Sequence, residues 1–77
     1  MGGHVMAIRL IHTEKHQTRS GTVHTAKVYR NAEYNEWVVK FAVDSHLLQK
    51  SDYFASDKLD AVDTAKYHIK RVATQFA

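Results

Sequence analysis

The sequence predicts an α+β domain, a small antiparallel meander of three to four β-strands with one carboxyl-terminal amphipathic helix packed on one face. Three segments of the first half have strand-like patterns, turn-forming Asn and Gly residues separate them, and the last segment has apolar residues at helical spacing. The 77 residues contain no proline to interrupt these elements and suffice for a single domain over residues 5–77. Residues 1–4 are interpreted as an added leader, with Met6 a candidate native start.

The first two strands are predicted over Val5–His12 and Thr22–Arg30. In Val5–His12 large apolar residues recur at every second position, which is typical of a strand with one buried face. The segment Thr13–Gly21 is polar throughout and is predicted to be a loop. Thr22–Arg30 contains β-branched residues and a tyrosine, but its alternation is imperfect, so either of its faces could point inward.

A hairpin turn is predicted at Asn31–Asn35, because asparagine at both ends favours a chain reversal. The third strand, Glu36–Asp44, has the clearest alternation. Its core-facing residues are predicted to be Trp37, Val39, Phe41 and Val43, and its outward residues Val38, Lys40, Ala42 and Asp44. Residues 46–55 are consistent either with a turn and a short final strand or with a helical turn followed by such a strand.

The last element is predicted to be an amphipathic helix over Asp57–Phe76. Seven apolar residues fall within an arc of about 140° at about 100° per residue: Leu59, Val62, Ala65, Ile69, Val72, Ala73 and Phe76. Ser56 or Asp57 can cap the first turn, and acidic residues precede basic ones along the helix, as the helix dipole favours.

The composition argues against several classes of protein. Without cysteine the chain cannot form disulfides or thiolate metal sites, which suits a reducing compartment. It has no apolar run approaching the roughly 20 residues that cross a bilayer, and its amino terminus lacks a signal-peptide pattern. We therefore expect a cytoplasmic protein that does not bind a membrane.

Catalytic and metal-binding patterns are missing from the sequence. A domain of this size forms one small core, so the deep cleft of an independent enzyme is not expected. His12 and His16 have a metal-ligand spacing only if they lie on a helix, and their segment is predicted to be a loop. The acidic residues of the middle segment lack the spacing of a calcium loop. We expect no enzymatic activity, cofactor, metal ion or small-molecule substrate.

Charge is unevenly distributed along the chain and points to a binding surface. Residues 1–32 carry five Lys or Arg against one acid, residues 33–63 three against seven, and residues 64–77 three against none. Clustered basic residues attract polyanions more strongly than the net charge of +3 implies. We predict a nucleic-acid-binding domain, for DNA or RNA, with phosphate contacts from Arg9, Lys15, Arg19, Lys27, Arg30 and Lys40, and a second patch at Lys70 and Arg71 if the fold brings these two to the same side.

One helix covers only one face of a sheet, so the other face meets solvent or a partner. From the alternation, we expect the uncovered face to carry Arg9 and Ile11 of the first strand and Val38, Lys40 and Ala42 of the third. The second strand adds either Lys27 and Tyr29 or His24 and Arg30. Basic residues interleaved with apolar groups suit a nucleic-acid surface.

Two alternatives fit the same face. One is a protein-interaction module, such as a homodimeric adaptor or an inhibitor from a mobile element, that uses the uncovered sheet face or an edge. The other is a solvated face with a few tolerated apolar residues. The element order over Thr22–Thr74 resembles the βββα modules of AP2-type and integrase amino-terminal DNA-binding domains. That resemblance implies a three-stranded sheet that enters the major groove; it rests on element order and transfers no contact residue.

Overall fold

The computed structural model describes residues 8–75, without the side chain of Gln49. The elements are Ile8–Gln17 (β1), Val23–Asn31 (β2), Glu36–Val43 (β3), His46–Leu47 (β4), a 3₁₀ turn at Gln49–Ser51, Tyr53–Ala55 (β5) and Lys58–Gln75 (α1). Strands β1, β2 and β3 pair in chain order, all antiparallel, and β4 and β5 lie end to end along the outer edge of β3. The helix packs against this sheet, which confirms the predicted α+β meander with one carboxyl-terminal helix.

The first strand extends further than the sequence predicts. Thr13–Gly21 was expected to be a loop, but β1 continues to Gln17, which pairs with Val23. Backbone hydrogen bonds to β2 hold this polar half of the strand, and they do not require apolar side chains. The remaining loop is short and is closed by a 2.9 Å hydrogen bond from the Thr18 amide to the Thr22 carbonyl, with Gly21 at a φ of 92° that favours glycine. The predicted start of the strand and Met6 lie outside the described residues.

A bulge in β1 reverses which of its residues face the helix. Leu10 pairs with Tyr29 and His12 with Val28, so two steps along β1 match one step along β2. Ile11, at the bulge, packs against the core. The prediction that Ile11 lies on the uncovered face is therefore wrong, because simple alternation does not continue through a bulge.

The core lies between α1 and one face of the sheet. It is built from Ala26, Val28, Val39, Phe41, Ala55, Ala61, Ala65 and Ile69, with Ile11, Trp37 and Val62 packed against it. The inward positions predicted for Trp37, Val39 and Phe41 are thus confirmed, whereas Val43 is half-buried outside this cluster. Because β2 contributes Ala26 and Val28, its alternate residues, Lys27 and Tyr29 among them, lie on the uncovered face.

The helix presents a slightly different stripe to the sheet from the predicted one. Its buried residues are Ala61, Ala65, Ile69 and Val72. Leu59 is 67% exposed, so its predicted place in the core is wrong, and the fully buried Ala61 lies on the buried stripe instead. Phe76 of the predicted arc lies outside the described residues.

Two hydrogen bonds fix the start of α1. The Asp57 carboxylate accepts a 2.8 Å hydrogen bond from the Leu59 amide, which confirms one of the two predicted caps. The Tyr53 hydroxyl donates a 2.8 Å hydrogen bond to the Asp60 carboxylate and so links β5 to α1. Residues 46–55 follow the second predicted alternative, a helical turn followed by a short strand, β5. The two-residue strand β4 precedes the helical turn.

Within residues 8–75, no helix has the length and apolar character needed to cross a bilayer.

Candidate nucleic-acid interface

The open face is the side of the sheet opposite α1, and strand register defines three rows across it, because cross-strand partners point to the same face. The aromatic row consists of Leu10, Tyr29, Val38 and Phe54 on β1, β2, β3 and β5. The lysine row consists of Thr13, Lys27 and Lys40 on β1, β2 and β3. The third row consists of Lys15, Thr25, Ala42 and Leu47 on β1, β2, β3 and β4. Tertiary structure therefore brings together three of the predicted basic residues.

Two of these three lysines keep an unneutralised charge. Lys27 and Lys40 are direct cross-strand partners, an arrangement in which like charges repel each other. The Lys40 ammonium forms a 2.7 Å ion pair with Asp52, which offsets this repulsion. Within residues 8–75, neither Lys15 nor Lys27 takes part in an ion pair. The positive charge of the open face is thus concentrated on β1 and β2.

The lysines border shallow depressions in the open face. One depression is lined by Lys15, Lys27 and Thr25, and its neighbour by Lys27, Lys40 and Tyr29. Both reach the turn after β3, where the Asp44 carboxylate accepts a 3.0 Å hydrogen bond from the Val23 amide. That hydrogen bond uses one of the two carboxylate oxygens of Asp44.

The aromatic row is apolar and partly accessible. Phe54 is 60% exposed and Leu10 is 46% exposed, while Val38 between Tyr29 and Phe54 is only 7% exposed. Val38 is thus sheltered by its cross-strand partners although it lies outside the main core. The sequence reading did not assign Phe54 to this face, because residues 46–55 had no predicted register.

Arg30 serves the fold instead of projecting freely. Its guanidinium lies 4.3 Å from the centre of the Trp37 ring and donates hydrogen bonds to the carbonyls of Asn31 and Glu36 and to the Asn35 side chain. These contacts hold the β2–β3 turn, in which Asn35 has a φ of 50°. Arg30 therefore lies on the helix-covered side, and its guanidinium already donates three hydrogen bonds.

The other predicted basic residues lie away from the lysine row. Arg9 pairs with Arg30 and shares its side of the sheet, so the prediction that Arg9 lies on the uncovered face is wrong. Arg19 is exposed in the β1–β2 loop, at the end of the sheet nearest Lys15. Lys70 and Arg71 are on α1, across the sheet from the open face. The two predicted patches therefore face opposite directions.

The helix patch has contacts of its own. The Arg71 guanidinium lies 5.8 Å from the centre of the Tyr67 ring, and these residues line a shallow depression with Lys70 and Thr74. Arg71 also borders His68, whose ring centre lies 4.4 Å from that of Phe41. Within residues 8–75, no three metal-ligating side chains come together, and His12 contacts Glu14 instead of a second histidine.

The environment of His68 leads us to expect that the free energy of unfolding depends on pH. Burial, together with the nearby His24 and Arg71, lowers the pKa of His68 below the ordinary value for histidine. The unfolded chain then binds more protons than the folded one below about pH 6.5, so stability is full above that pH and falls as pH decreases through the pKa of the folded state. We expect a lower urea midpoint at about pH 5 than at about pH 7.5.

The control for this prediction is His68→Gln, which keeps a polar side chain but cannot be protonated in this range. The difference between the two urea midpoints should become smaller in this variant. An unchanged difference would contradict the assignment of this pH dependence to His68.

Compared with known protein families, curated proteins and solved structures, the chain has no match. The resemblance to AP2-type and integrase amino-terminal domains stays a prediction from element order.

Proposed function

We propose that this protein is a small, non-enzymatic nucleic-acid-binding domain that uses the open face and the adjoining β1–β2 loop. The observation that carries the proposal is the gathering of Lys15, Lys27 and Lys40 on one side of the sheet. These residues come from separate strands, so only strand pairing makes them neighbours. The exposed Arg19 extends the basic area beyond the end of the strands.

The chemistry of this surface suits a polyanion. Lys15 and Lys27 have no ion-pair partner within residues 8–75, so they can replace the counterions of a phosphate backbone without first breaking an ion pair. Glu33 in the β2–β3 turn and Asp60 and Asp63 on α1 lie away from this surface. Two acidic residues lie beside it: Asp52 pairs with Lys40, and Asp44 borders both depressions. Arg9 and Arg30 are left out of the proposed surface, because they lie on the other side of the sheet. We also place the protein in the cytoplasm, since the chain has no cysteine.

A protein-interaction module is the second candidate, and the aromatic row favours it. Leu10 and Phe54, together with the 55% exposed Leu47, present large apolar side chains on the open face. A second copy of the chain or another protein would bury them. Salt separates the two candidates, since polyanion binding weakens steeply with ionic strength and apolar burial does not.

The first test is a fluorescence-anisotropy titration of labelled DNA and RNA at about 50 and about 200 mM salt. We expect micromolar or tighter binding at the lower salt concentration that weakens at least tenfold at the higher one, as roughly two or more phosphate contacts require. Sedimentation of the free protein over a range of concentrations accompanies the titration. No binding at low salt, together with a dimer in sedimentation, would favour the interaction module.

A further inference from the structure

We propose that the ligand of the open face is a single-stranded nucleic acid whose backbone follows the lysine row and whose bases lie on the aromatic row. This inference rests on the proposed function and adds the form of the nucleic acid to it. It is carried by the direct adjacency of the two rows, which strand register establishes on all three long strands.

The spacing of the rows suits one strand of nucleic acid. On β2, Lys27 and Tyr29 are two residues apart, which separates their side chains by about 7 Å along the strand. Tyr29 and Phe54 lie on β2 and β5 with β3 between them, so about 10 Å separates their backbones across the sheet. A chain lying across the strands can therefore place phosphates over Lys27 and over Lys40, which also pairs with Asp52, and bases over the two rings.

Exposed aromatic side chains distinguish unpaired from paired bases. In a duplex the base faces are stacked on one another and the grooves present only base edges, so Phe54 would find no ring to stack on. An unpaired base has a free π-face, and stacking on an aromatic side chain is tolerant of base identity. Phe54 is 60% exposed and is not part of the core cluster, so this ring is available for such a contact.

The charge of the open face selects this ligand over an apolar partner. A second copy of this chain would bring Lys15 and Lys27 of both copies toward each other if the two open faces packed together, and like charges in such an interface repel. A polyanion neutralises the same lysines. One ligand then uses the aromatic row together with Lys27 of the lysine row and Lys15 of the third row beside it.

The test compares wild-type protein, Phe54→Leu and Tyr67→Leu by anisotropy with labelled oligonucleotides of about 15 nucleotides. The probes are single-stranded DNA, single-stranded RNA of the same sequence, and the DNA annealed to its complement. Leucine keeps an apolar side chain at residue 54 but removes the ring. Tyr67 is the matched control, because it is a 63% exposed aromatic residue on α1.

We expect wild-type protein to bind at least one single strand about tenfold or more tightly than the duplex, and Phe54→Leu to weaken single-strand binding by about tenfold. Tyr67→Leu should bind like wild type. Thermal unfolding of each variant verifies that the fold is retained. The DNA and RNA arms show which sugar the surface prefers.

Other outcomes overturn specific claims. Duplex binding at least as tight as single-strand binding, or wild-type affinity in Phe54→Leu, overturns this inference and leaves the proposed function standing. Binding to none of the three probes at low salt overturns the proposed function and this inference together.

Discussion

Replacement of Phe41 by alanine is expected to leave most of the protein molecules unfolded. Phe41 is 7% exposed, belongs to the core between β3 and α1, and contacts the His68 ring. Removing a buried phenylalanine ring lowers the free energy of unfolding by about 3–5 kcal/mol, and the core of a domain this small rarely supplies more than about that amount. The measurement is urea unfolding followed by the fluorescence of Trp37, the single tryptophan, which packs against the same core.

Phe54→Ala is the matched control for this prediction. It removes the same side chain from the other face of the sheet, where the ring is 60% exposed. The free energy of unfolding should fall by about 1 kcal/mol or less, because the exposed ring buries less apolar area than Phe41 does. Equal midpoints for the two variants would contradict the assignment of the core to the helix-covered side.

The triple replacement of Lys15, Arg19 and Lys27 by alanine is expected to weaken nucleic-acid binding by about two to three orders of magnitude at 0.1 M salt. Each lost phosphate contact removes about one unit from the slope of log affinity against log salt, and therefore costs roughly tenfold at this salt concentration. The loss should be similar for every base sequence, because phosphate contacts carry no sequence information. Anisotropy titrations at several salt concentrations measure both the affinity and the slope.

The control variant replaces Lys66, Lys70 and Arg71, which also removes two lysines and one arginine, from α1 instead. Both variants lower the formal charge of the protein by three. If the open face and its loop carry binding, the helix variant keeps most of the affinity. An equal loss in both variants would mean that overall charge, and not this surface, controls binding.

The parts of the fold that sequence reasoning predicted correctly are those where local pattern and tertiary environment agree. Trp37, Val39 and Phe41 alternate strictly, and the neighbouring Asn31–Asn35 segment has the composition of a turn. The helix was recognisable because its apolar period, its Asp57 cap and its charge order all indicate the same element.

The first strand shows where local pattern misleads. Its second half is polar, so composition predicted a loop, yet pairing with β2 extends it to Gln17. Its bulge between Leu10 and His12 then moved Ile11 to the core side and Arg9 to the side of Arg30. A bulge depends on how two strands fit together and leaves no periodic signal in either one.

For the candidate site, the residue types were recognisable from the sequence but their arrangement was not. Sequence reasoning identified Lys15, Lys27 and Lys40 as basic candidates and could not separate them from Arg30, which the structure engages with Trp37 and the β2–β3 turn. Phe54 was not assigned to the site, because its position depends on pairing with Val38, a residue sixteen positions earlier.

By itself, the sequence determined the element types, the chain order, the inward face of β3 and the excess of basic residues in the first strands. These properties depend on periodicity and composition within a few neighbouring residues. Tertiary structure alone decided which lysines share a face, which arginines the fold uses and which aromatic rings lie beside the lysines. Those outcomes depend on register between distant segments, which hydrogen bonding and core packing set only when the strands and the helix come together.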